Sequence, residues 1–342
     1  MRFMLAAFLC TALGALADTP QCPPLDKACA REAVKKHPAK QTGFWQDALA
    51  KPLRDRIGPA PPELIDLLRL DNIAHGYPNT PRAPELSKEF AAEVLRAFDE
   101  IPESVKRPLA RKLGGIYFVD DIGGTGFTDA VTDGRSSLGF IVLDPSVLMA
   151  RTANAWATWK DNTPFRPDPQ WKLVERIEDG VRDDRTHAIQ YILLHELAHV
   201  LSIGGNAHPS WTVSPKEVGA TTAYPFFRQS WSIKGDEYVS VFDPAFTQRK
   251  SVAFYFGAKL DAAAMKDTYD ALERTSFPTL YASTHPGDDF AESLANYVHV
   301  VMLKRPFEIR ISKGGEVVKT YRSCWGEKRC AEKRRYLEEM LR

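Results

Sequence analysis

The stretch DDRTHAIQYILLHELAHVLSIGG, residues 183–205, decides how this chain reads. Ile189, Ile192, Leu193, Leu197 and Val200 recur at helical spacing, so a helix is predicted here. Asp183 or Asp184 can cap its start, and Gly204-Gly205 ends it at about Ile203. Inside lies His195-Glu196-Leu197-Ala198-His199. Residues four apart share one helix face, so the two imidazoles can converge on a single zinc ion. Glu196 is a poor ligand from its position but is well placed to take a proton from a water on that metal. The bare pattern arises by composition on the order of once in a hundred chains of this size, so its setting matters. That setting is an apolar helix, where two histidines and a glutamate buried without partners would cost several kcal/mol.

A catalytic zinc usually takes three protein ligands and a water. One class of zinc enzymes finds its third ligand in H-E-x-x-H-x-x-G-x-x-H. Here Ser202 and Gly205 stand at the glycine and final histidine positions, which argues against that class. His208, followed by Pro209, comes too late and reads as a loop histidine. The segment Tyr281-Ala-Ser-Thr-His285-Pro-Gly-Asp288-Asp289-Phe290-Ala291-Glu292 supplies carboxylates instead. With these residues the chain resembles the glutamate-ligand zinc peptidases, the gluzincins. Within them it is most similar to the catalytic domains of anthrax lethal factor and the bacterial titration-factor peptidases. Their Y…E-x-F-A pattern aligns on Tyr281, Asp288, Phe290 and Ala291. The resemblance covers about residues 183–303 and departs from the family in one place, where Asp288 replaces a glutamate.

The resemblance implies an α+β, zincin-like metallopeptidase fold holding one catalytic Zn2+. His195 and His199 would be ligands, and either Asp288 or Glu292 the third, with the other carboxylate behind a histidine. Asp288 is the favoured ligand, although its shorter side chain requires its helix to approach the metal closely. Glu196 would be the catalytic base, and Tyr281 would donate to the oxyanion. His285 and Tyr297 are weaker candidates for that donor role, while His187 and His299 read as capping or packing residues. By the same analogy a strand near the metal would bind substrate by pairing with it, and Leu138–Leu143 is the candidate strand.

The rest of the chain is consistent with an exported protein. Met1-Arg2, an apolar run to Leu16 and Ala15-Leu16-Ala17 read as a signal peptide cut after Ala17, giving a secreted or periplasmic location. Four cysteines remain, most simply paired as Cys22–Cys29 and Cys324–Cys330. Residues 18–62 form a Pro-rich N-terminal segment, 63–305 the catalytic domain, and 306–342 a β-hairpin and helix. Helices are expected near Lys27–Lys36, Ser87–Glu100, Asp261–Arg274 and Asp288–Met302, and strands at Ile116–Val119 and Leu138–Leu143. Gly123-Gly124-Thr125-Gly126 is read as a tight connection between those strands. Forty-five basic residues against 44 acidic ones give no pull toward nucleic acid, and no later stretch is long and apolar enough to span a membrane. The expected partner is a peptide or protein substrate. Two other readings use the same residues: a non-catalytic zinc-binding interaction protein, and a zinc amidase acting on cell-wall peptides.

Overall fold

The computed structural model describes residues 22–23, 26–134, 136–148 and 151–342. The expected signal peptide lies outside the described residues. The chain is a mixed α+β structure. Its main sheet has four strands: β1 (Ile57–Pro59), β2 (Leu113–Phe118), β3 (Gly126–Thr132) and β4 (Ser137–Leu143). They lie in the order β1-β2-β4-β3, with β3 antiparallel to β4 and the other neighbours parallel. Side chains alternate across this sheet as strand geometry requires. Phe140 and Val142 face a smaller core built with Trp45 of the N-terminal segment and with Leu64 and Leu68 of the helix Pro62–His75. Ile141 and Leu143 face the large core, which contains the helix bearing both histidines.

That motif helix runs Arg185–Ser202, and Asp184 caps it by accepting from the His187 backbone N–H. Gly204, at φ +65°, turns the chain away after Ile203. The second site helix is Pro286–Tyr297, continued by a wider turn over Val298–Met302. It packs directly against the motif helix. The C-terminal hairpin, Glu308–Lys313 with Glu316–Arg322, joins Trp171–Arg176 in a three-stranded sheet. The last helix, Ala331–Met340, returns to the second site helix, where Lys333 and Asp289 form a fully buried ion pair. Both expected disulfides, Cys22–Cys29 and Cys324–Cys330, are formed. Among the described residues, no helix is long and apolar enough to cross a membrane.

One sequence expectation is corrected. Leu138–Leu143 is not an available edge, because β4 pairs with β2 on one side and β3 on the other. The sheet's edges are β1 and β3, and β3, the edge beside Glu196, starts at the last glycine of Gly123-Gly124-Thr125-Gly126. Its residues Phe127-Thr128-Asp129-Ala130 lack clean alternation because the strand is half-buried along most of its length.

Candidate metal centre

The motif helix and the second site helix bring three side chains to one point. The Nε2 atoms of His195 and His199 stand 3.1 Å apart. The Asp288 Oδ1 lies 3.9 Å from the first and 3.7 Å from the second. All three ligand atoms fall within 4.8 Å of one another. Two nitrogens each about 2.0–2.1 Å from a tetrahedral zinc are roughly 3.3 Å apart, so the imidazole pair has the right spacing. The oxygen needs to close by only a few tenths of an ångström.

Gly287 stands at this approach. A Cβ there would meet His285 Nδ1 at 3.3 Å and His199 Cε1 at 3.8 Å. The helix start therefore lies close against the motif helix, as the short Asp288 side chain requires.

The protonation pattern suits a cation. Glu292 Oε1 lies 3.0 Å from His195 Nδ1. Burial opposes ionisation of Glu292, but Lys160 and His195 outweigh it and hold the carboxyl below its ordinary range. An ionised carboxylate only accepts, so Nδ1 of His195 carries the hydrogen. Burial alone would lower this imidazole, but Glu292 outweighs it and raises it above the ordinary value. Burial, reinforced by His195, holds His199 well below its ordinary value and therefore neutral. Two ring nitrogens at this separation need a proton or a cation between them. Glu292 thus stands behind His195, in the arrangement by which outer carboxylates orient metal-binding imidazoles.

Glu196 shares the cavity, of about 280 Å³, with the three side chains. Its Oε2 accepts from the Thr128 hydroxyl at 2.7 Å, which ties it to β3. Burial raises its carboxyl above the ordinary value, against the opposing effects of His195 and Thr128. The Tyr281 ring stacks on His195 at 5.5 Å, and burial raises its hydroxyl far above the usual range. The hydroxyl is therefore a lasting donor. His285 lines the same cavity but serves as N-cap, its Nδ1 accepting from Gly287 N at 3.1 Å.

His208 stands close to the cluster without joining it, and His187, His299 and Tyr297 lie farther off. His208 Nδ1 meets the Pro209 carbonyl at 2.7 Å, and the residue is outside the ligand cluster. His299 Nε2 donates to the Ile177 carbonyl at 2.8 Å, and His187 caps beside Asp184. Tyr297 donates to Glu338 at 3.3 Å.

Two participants escaped the sequence reading. Lys160 lies 2.9 Å from Glu292 and 5.0 Å over the Tyr281 ring, although a lysine in an aromatic-rich helix normally reads as solvent-facing. Burial would lower its ammonium, yet Glu292 and Asp161 hold it above the ordinary value. Thr128 was hidden because residues 127–132 carry no alternation that marks a strand. Compared with protein-family models, curated proteins and solved structures, the chain matches none of them.

Proposed function

We propose that this chain is an exported zinc peptidase of zincin-like fold, similar to the gluzincins, that hydrolyses peptide bonds. The observation carrying the reading is the meeting of His195, His199 and Asp288 with Glu196 on the same cavity wall. His195, His199 and Asp288 would hold the metal. A bound zinc would polarise the scissile carbonyl and lower the pKa of a coordinated water to about 7.

The chain's own residues supply the remaining steps. Glu196, steadied by Thr128, takes the proton of the attacking water and passes it to the leaving amine. Its burial makes the carboxylate a stronger base than an exposed one. Tyr281 donates a hydrogen bond to the oxyanion. Lys160 keeps Glu292 ionised, and Glu292 fixes the His195 ring. The free edge of β3 runs past Glu196, so an extended substrate can pair with it and reach the metal.

Metal analysis together with casein hydrolysis tests this reading. The expected result is one zinc per chain. Glu196→Ala should keep the zinc and lose about 10²–10⁴-fold in rate. A chain that takes up no zinc, or a Glu196→Ala variant as active as the parent, would remove the assignment.

A further inference from the structure

A second cavity, larger than the one holding the histidines, lies beside it. It has a volume of about 840 Å³ and opens beyond the Gly126 end of β3. Trp159, Phe165 and Tyr255 give it aromatic walls, and Gly123 and Gly124 form part of the opposite side. Tyr255 also lines a small inner cavity with His195, Glu196 and Tyr281, and Thr125 and Gly126 border that inner cavity just past the two glycines. A chain paired with β3 and passing Glu196 would leave the strand into this cleft.

Its chemistry is selective. The Trp159 and Tyr255 rings lie 5.7 Å apart at 41° and pack on one another, giving the cleft a continuous aromatic wall. The Arg151 guanidinium stacks on Trp159 at 4.6 Å. The charges at the rim are already engaged. Arg82 pairs with Asp121 at 3.3 Å, and Asp144 accepts from Ile122 N and from Ser146. The lining thus carries two carboxylates and one paired guanidinium, and the Arg151 guanidinium beside it is occupied by Trp159 and by the Val147 carbonyl.

The loop over the cleft is set in an uncommon conformation. Tyr255 has φ +67°, a left-handed backbone that a bulky residue rarely adopts, and Gly257 has φ +88°. Such strain gathers where a ligand is clamped. Between them Phe256 is 85% exposed, an apolar ring left in water beside two cleft-lining residues. An exposed phenylalanine at the lip of an aromatic-walled cleft is a ready contact for an incoming apolar side chain.

We infer that this cleft binds the part of an extended peptide that flanks the scissile bond and selects a bulky apolar side chain there. The inference rests on the peptidase reading for the position of the bond, but the selection can be measured without hydrolysis. Two fluorescein-labelled decapeptides, identical except for one central Phe or Ser, are titrated by anisotropy into the zinc-loaded full chain carrying Glu196→Ala. The Phe peptide should bind about ten-fold or more tightly, the effect of burying one aromatic side chain. Trp159→Ala should remove most of that difference. Phe256→Ser, which takes no residue from the core, should reduce it several-fold with unchanged circular dichroism. Equal affinities for the two peptides, or a preference that survives both substitutions, would overturn the inference. Casein hydrolysis by the unsubstituted chain runs alongside. A Phe preference without any hydrolysis would remove the peptidase reading and leave the cleft assignment standing.

Discussion

Asp288 and Glu292 stand one helical turn apart, yet their surroundings assign them opposite duties. Asp288 faces both imidazole Nε2 atoms and is steadied by the Thr284 hydroxyl at 3.1 Å. Glu292 is enclosed by His195, Lys160 and Thr279. Replacing them should separate these duties. Asp288→Ala should abolish stoichiometric zinc binding in a chelator competition. Glu292→Gln should keep the metal but weaken it about 10–100-fold, the range for an outer partner of a metal histidine. The reverse order would exchange the two roles. Such pairs are only half legible in sequence. The i, i+4 spacing of His195 and His199 states their convergence outright, because one helix fixes both. Which of two acids on another helix meets them depends on how the two helices pack, which no local spacing states. A different residue shows how burial alone changes acid stability. His299 is buried and held down to about 4, first by desolvation. An unfolded histidine titrates near 6.5. Between these values the unfolded chain binds the proton and the folded chain does not, so stability falls as pH drops from 6.5 toward 4. For this group the loss is up to about 3 kcal/mol. Urea titrations at pH 7 and pH 4.5 should show a shallower pH dependence in His299→Phe than in the parent.

Among the elements, the contact between β4 and the motif helix sets the position of Glu196 relative to Thr128. Gly139 lies at that contact. A Cβ there would stand 2.5 Å from Ile203 Cδ1, 3.2 Å from Val200 Cγ2 and 3.2 Å from the Asp129 carbonyl. The isoleucine tip can turn aside, but the carbonyl belongs to the β3 backbone. Gly139→Ala should therefore destabilise the chain by about 1–3 kcal/mol, read as a lower urea midpoint. It should also push β3 from the helix, so peptidase rate falls while zinc content stays constant. The helices were the readable elements. Lys27–Lys36, the motif helix and the hairpin 308–322 all follow from periodicity and turn residues. Strand β3 was not readable, because an edge strand leaning on a helix buries both faces partly and shows no period of two. The helix Ala153–Asn162 that brings Lys160 in was missed for a related reason: its buried residues include a lysine and an aspartate as well as apolar side chains.

On the scale of the whole molecule, the chain's last helix braces the helix that carries Asp288. Lys333 on Ala331–Met340 forms its ion pair with Asp289, next to Asp288, and neither side chain is exposed. Asp289 also accepts from the Trp231 indole N–H at 3.0 Å, so three distant segments meet there. Burial pushes the Asp289 carboxyl up and the Lys333 ammonium down, against the attraction each exerts on the other. A pair balanced in this way adds little as a pair, but either partner left alone is a bare buried charge. Lys333→Met should therefore cost about 3–5 kcal/mol, and Asp289→Asn a comparable amount. The double substitution should cost much less than their sum, because it removes both charges and keeps most of the volume. Urea denaturation of the four proteins completes the cycle, and additive losses would show that the pair does not couple. Zinc affinity measured on the same set gives the functional counterpart. If the C-terminal helix positions Asp288 through its neighbour, each single variant should bind zinc more weakly than the double variant does. If it only adds stability, zinc affinity of the folded protein should be unchanged across all four.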